Sequence, residues 1–165
     1  MIAVASVGVL ISEGEKQRVL WVRAMRRCLL RMHTMIQYEQ PGLCDLLLRL
    51  DLRATPQEGL LTQLLHRCAN KLYASANPQL GLIYARESAR LHGYGVLSHE
   101  DRAAFEGVLA ELGRIRLEEQ LRMIDAADER LRAREELLAR EGRLRARLIR
   151  TLSLCGGAAV FLILI

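Results

Sequence analysis

The chain has 165 residues, a net charge of +5, 51% hydrophobic residues and only 4% aromatics, enough for one ordinary domain with a real core and too apolar for a disordered segment. Leu, Ala and Arg dominate and only three prolines occur, which favours helices and argues against a sheet. Cys28, Cys44, Cys68 and Cys155 are scattered with no CxxC, so a disulfide framework is excluded and they read as reduced core or tail residues in a cytosolic setting.

In chain order, "MIAVASVGVLI" is apolar but too short for a span of about 20 residues and lacks a basic flank. Residues 1–13 are therefore a stub, either a shortened anchor or a first packed turn. The first clear helix covers about 15–38. Val22, Met25, Leu29, Met32 and Ile36 recur at steps of three and four, widened by Trp21, Cys28 and Met35. Arg18, Arg23, Arg26, Arg27 and Arg31 take the other faces and make a basic surface, which "YEQPG" ends.

"LCDLLLRLDL" predicts a buried helix of two or three turns. In "TPQE", Thr55 is the expected N-cap, Pro56 the first helical residue and Glu58 the return arm of a capping box. The following helix carries Leu61, Leu64, Leu65, Cys68 and Leu72. Asn77 and Pro78 repeat the device for a fourth helix, with Gly93 of "HGYG" as its C-cap. Ser98 caps the next helix, with acidic residues in its first turn.

From 114 to 150 there is no proline and one glycine, and Leu117, Ile124, Leu131 and Leu138 recur every seven residues, with Leu121 and Ala127 between them. This predicts one long helix of more than about 50 Å at 1.5 Å per residue, part of it projecting. Acid-first pairs four apart, Glu118 with Arg122 and Asp128 with Arg132 among them, support it. It packs either on the chain's own short helices or on a coiled-coil partner. The run 152–165 then carries no charge, and Leu152, Leu154, Val160, Phe161, Leu162, Ile163, Leu164 and Ile165 leave it no polar face. Arg143, Arg145, Arg147 and Arg150 stand before it, the pattern of a membrane anchor with a cytoplasmic basic flank.

No catalytic pattern emerges. A phosphate-binding GxxxxGK[ST] is missing, and His33, His66, His92 and His99 lack metal-ligand spacing. The expectation is a protein without enzymatic activity, cofactor or small-molecule substrate. Basic helices without interleaved aromatics argue against nucleic acid, although a soluble basic protein with its tail folded into the core remains the third alternative.

Three segments resemble the stage III sporulation protein AB family. "MIQYEQPGLCDLL" keeps Tyr38 and Pro41, "ELGRIRLEEQ" keeps Gly113 and Gln120 seven apart, and "RTLSLCGGAAVFLILI" matches a basic approach, a glycine and an apolar end. Met35 departs from the family's usual acid, and Ile115 and Arg116 replace its Ser-Asp pair, which removes an N-cap. The resemblance implies a helical cytoplasmic domain similar to that of the platform proteins of type II secretion and type IV pilus machines. It also implies a mother-cell membrane location, a place in the channel complex between mother cell and forespore, and a partner in the sporulation ATPase, stage III sporulation protein AA.

The expected architecture is all-α: a bundle of five or six helices over 14–113, a long amphipathic helix over 114–150 packed on it, and a membrane segment over 151–165. The expected docking surface is the basic face of the first helix together with the charge on the long one, at Glu118, Arg122, Asp128 and Arg132. The runner-up function is a tail-anchored helical adaptor of another bacterial membrane machine.

Overall fold

A computed structural model describes the backbone of residues 2–75, 79–91 and 93–164 and the side chains of 14–75, 79–91 and 93–144. Six α-helices follow one another: α1 (Ile2–Tyr38), α2 (Leu43–Arg49), α3 (Pro56–Tyr73), α4 (Leu80–Ser88), α5 (His99–Glu111) and α6 (Leu117–Leu164), with a 3-10 turn at Tyr94–Val96 before α5. The described residues contain no strand. The two long helices lie antiparallel, as His33 facing Asp125 and Arg23 facing Glu135 require. They form a spine on which α3 and α5 pack, while α2 leans on α3 and α4 bridges α3 to α5.

The heptad stripe lands where its spacing places it except at its first position, Leu117, which stays exposed. Ile124, Ala127, Leu131 and Leu138 are buried, and the partner that covers them is chiefly α1 of the same chain, rather than short hairpins or a second molecule. From α1 come Val22, Met25, Cys28, Leu29 and Met32, all without solvent exposure. An aromatic knot closes the side toward α4 and α5: Trp21 meets Tyr94 edge-on with ring centres 5.4 Å apart, and the buried Tyr84 and Tyr94 hydroxyls share a hydrogen bond of 2.7 Å. Burial pushes the Tyr84 and Cys68 protons up, the thiol to about 11.

Local signals account for most boundaries. The Thr55 hydroxyl accepts from the Glu58 N–H, and Ser98 with Asp101 makes a complete capping box. The Glu58 carboxylate reaches back to the Ala54 N–H at 2.8 Å instead of to its own cap residue, and takes the Arg27 guanidinium at 2.6 Å on its other oxygen. Two expectations need correction, and others fall outside the described residues. The first helix begins at Ile2, so 1–13 is not marked off by a break. Gly93 does not cap α4, which ends at Ser88; at φ +80° it opens the 3-10 turn. The proposed cap at Asn77 and Pro78 lies outside the described residues, as do the side chains of 145–165 that were assigned to the anchor. Among the described residues no helix is long and apolar enough to cross a membrane.

The largest correction concerns the arginines. All five on α1 are expected on solvated faces; four of them are paired with acids of other helices in an ion-pair seam, Arg18 and Arg26 partly buried and Arg23 and Arg27 still exposed. Arg26 forks onto Asp128 at 2.9 and 3.2 Å and reaches Glu135 at 3.0 Å; Arg23 joins Glu135 at 2.8 Å; Arg27 holds the buried Glu58. Arg18 binds the innermost carboxylate, Asp101, through Nε at 3.0 Å and Nη2 at 2.7 Å, and Arg134 of α6 takes its other oxygen at 2.6 Å. The reason is geometric: the helix face flanking the apolar stripe is roofed by α6 and α5, whose acids stand opposite.

Burial opposes ionisation of Asp101, but hydrogen bonds from Arg134, the Ser98 backbone and Arg18 outweigh it and hold its pKa below the ordinary range. Glu135 is held low in the same way by Arg26 and Arg23. A carboxyl depressed on folding stabilises the native state above its unfolded pKa and loses that contribution as pH falls through the folded value. Asp101→Asn should therefore cost about 3 kcal/mol at neutral pH. Urea titrations of both proteins should show that gap narrowing below about pH 4, and a constant gap would show that the charge is not what matters.

Candidate functional site at the Leu43 and Gly113 end

The antiparallel spine gives the bundle two unlike ends. At one, α1 finishes and α6 starts. Tyr38 is the last residue of α1, and the chain then turns through Gln40 in the left-handed region at φ +47°, with Glu39 and Gln40 both donating to the Met35 carbonyl. Pro41 leads into α2. On the other strand of this end, α5 stops at Glu111 and Gly113 adopts φ +81°, which separates α5 from α6. Gln120 closes the second turn: its side-chain amide donates to the Ile115 carbonyl at 2.7 Å and its N–H to the Arg116 carbonyl at 2.9 Å. Those bonds tie down the start of α6 where the Ser-Asp pair is missing.

Thus residues 38, 41, 113 and 120, far apart in sequence, meet at one end. Leu43 packs against the Gly113 backbone, close enough that a Cβ on residue 113 would sit 3.2 Å from its Cδ2. Two open clefts flank this contact. A smaller one, about 180 Å³, runs between Ile36, Pro41, Leu117 and Gln120; a larger one, about 520 Å³, runs between Cys44, Leu72, Tyr73 and Ala110. Both share Leu43, Leu112 and Gly113, so the two clefts adjoin across that contact.

Large apolar side chains stand out at this end. Tyr73 is 88% exposed on the larger cleft and Leu117 37% on the smaller, and an exposed aromatic beside an apolar cleft is a usual signature of a protein contact; Tyr38, 76% exposed at the same end of α1, lines neither cleft. The rim carries both signs of charge: Asp45 and Arg114 on the larger cleft, and Glu39 paired with Arg49 at 2.5 Å. Glu118 and Arg122 lie just beyond on α6, exposed and paired loosely with each other at 3.5 Å.

The other expected surface residues are placed differently. Asp128 is engaged by Arg26, which removes it from any free docking face; Arg132 is exposed but turns to Glu136 at 3.5 Å rather than to Asp128. Arg143 is exposed at the opposite end of the bundle, and Arg145, Arg147 and Arg150 are among the side chains outside the description. Sequence reasoning overlooked Tyr73, whose only signal was an aromatic at a helix end ahead of the polar stretch "SASANPQ". Leu43 and Leu112, which belong to the segments that resemble the family, look like ordinary core residues until the turn at Gly113 brings them together. Two of the histidines make structural contacts: His66 Nε2 is 2.8 Å from the Leu50 carbonyl, and His33 faces Asp125 at 3.3 Å.

With this geometry in place, the comparisons with known proteins are few. The family described as stage III sporulation protein AB matches the chain over residues 1–165. No curated protein and no solved structure matches it.

The turn at Gly113 makes a direct prediction. Gly113→Ala puts a Cβ both in the left-handed region and against Leu43, and should cost about 2 kcal/mol. Gly42→Ala, whose Cβ would meet only Asp45 Oδ2 at 3.9 Å, should stay within about 0.5 kcal/mol of wild type. Chemical denaturation of the two variants checks the difference, and equal stabilities would remove the strained turn from the account.

Proposed function

Because the chain belongs to the stage III sporulation protein AB family, we propose that it is a non-catalytic structural component of the endospore channel complex between mother cell and forespore. In this reading it is held at the mother-cell membrane with its bundle in the cytoplasm, and it positions the complex's ATPase, stage III sporulation protein AA. The observation that carries the reading is the polarity of the bundle. The start of α1 and the close of α6 leave from one end, where the sequence places its basic flank and apolar run. The opposite end presents the exposed Tyr73 and Leu117 on two neighbouring clefts, with the exposed Tyr38 at the same end of α1.

A rigid helical spacer with one sticky end suits a mechanical role. The ion-pair seam prevents the two long helices from sliding, so a partner seated on the Leu43 end is held at a set distance from the other end. For the 37 residues of α1 that distance is about 55 Å at 1.5 Å per residue. An aromatic and a leucine on neighbouring clefts with mixed charges at the rim are also the composition of an interface hot spot.

The reading is tested by binding of the full chain, in detergent, to the purified ATPase. Tyr38→Glu and Tyr73→Glu replace exposed side chains and should leave the thermal melt unchanged while weakening the complex about tenfold or more each. Arg132→Glu, midway along α6, should bind as wild type. Loss of binding in Arg132→Glu alone would move the contact to the flank of α6, and a folded chain that binds no ATPase at all would end the positioning role.

A further inference from the structure

A third cleft lies at the other end of the spine, between α1 and α6 themselves. It holds about 490 Å³, within the ordinary range of about 300–1,000 Å³ for small-ligand sites. Its walls are apolar: Val19 and Leu20 of α1 face Leu138 and Ala139 of α6. Its rim is cationic. Lys16 and Arg143 stand on opposite lips, both exposed, and neither is engaged by a carboxylate among the described residues. This contrasts with the next turns of the same helices, where Arg18, Arg23, Arg26 and Arg134 are all compensated. The carboxylate of Glu15 is also at the site, beside Gly142, so the lining carries two cations and one acid.

We propose that this cleft binds one anionic phospholipid, with an acyl chain between Val19, Leu20, Leu138 and Ala139 and the headgroup phosphate between Lys16 and Arg143. Two observations select a lipid over a peptide. The cleft spans only residues 15–20 and 138–143, about 9 Å of helix, which is too short for the i, i+3, i+4, i+7 anchors of a docking helix. Apolar walls with unpaired positive charge at one rim are complementary to an amphiphile with a negative head. Position agrees: the uncharged run of the N-terminal segment ends at Ile11 and Ser12, about 6 to 7 Å along the helix from Lys16. With that run at the hydrocarbon boundary, Lys16 lies at headgroup level, since headgroups occupy about 5–7 Å on each side of the core. The proposal rests on the membrane location proposed above and adds to it a particular lipid class and seat.

The test uses the full chain in detergent micelles, following backbone amide NMR shifts during titration with dihexanoyl phosphatidylglycerol, dihexanoyl phosphatidylcholine and inorganic phosphate. The expected result is saturable shifts at Val19, Leu20 and Ala139 with phosphatidylglycerol, affinity about tenfold or more lower with phosphatidylcholine, and no response to phosphate. Lys16→Glu with Arg143→Glu should abolish the preference between the two lipids without changing helicity. Ala139→Trp, which fills the cleft, should abolish both bindings, and Arg86→Glu, a surface charge elsewhere, should change nothing.

Equal, diffuse shifts with both lipids would overturn the proposal, as would phosphate alone reproducing the response or shifts at these residues that follow protein concentration without lipid. A parallel carbonate wash of native membranes separates this inference from the location it rests on. A chain that stays in the membrane while the titration is silent loses the lipid seat alone; a chain that washes off loses both.

Discussion

The structure turns on one buried carboxylate. Asp101 has no exposed surface and accepts hydrogen bonds from three directions: the Ser98 backbone in its own helix, Arg18 in α1 and Arg134 in α6. A lone carboxylate in that position would be intolerable, so the fold is obliged to bring both long helices to the start of α5. Once Arg18 and Arg134 converge on one side chain, the antiparallel register of α1 and α6 is set. The outer pairs, Arg26 with Asp128 and Arg23 with Glu135, fall into place along the same seam. The apolar stripe supplies most of the burial energy, but it is smooth at the level of one helical turn, and the directional ion pairs select among its possible registers.

That register gives the molecule a long axis with chemically different ends. At one end the turns at Gln40 and Gly113 gather apolar side chains and leave two tyrosines standing in solvent. At the other, the seam gives out: acids no longer face every cation, and a cleft lined by Val19 and Leu138 lies beside the exposed Lys16 and Arg143. The difference follows from how charge is distributed along α6, whose acids lie in its first half alongside α1 and α5 while its later turns are increasingly basic. A spine stiffened in the middle, with chemically different ends, is suited to hold two things apart.

Much of this was legible in the amino-acid sequence because it is local physics. Thr55 and Ser98 announce their helices by capping chemistry that involves neighbours three residues away. The heptad leucines announce a long helix, and the absence of metal or nucleotide spacing argues against catalysis. Where local reasoning failed, a distant residue was competing. Glu58 abandoned part of its capping box for Arg27, and Asp128 left the expected Arg132 for Arg26 because a pair bridging two packed helices loses less to solvent than one on an open face. Gly93 looked like a helix terminator and instead served a tight turn beside Trp21.

The sequence by itself determined the helical class, the approximate helix boundaries, the apolar stripes and the resemblance that identifies the family, since each depends on spacing within a few turns of one element. Only the tertiary structure decided that Arg18, Arg23, Arg26 and Arg27 of α1 pair with acids of other helices, that α6 takes α1 as its partner, and that residues 41, 113 and 120 come together. Those outcomes depend on which helix lies against which, and a face of a helix becomes interior or exterior only when another element covers it.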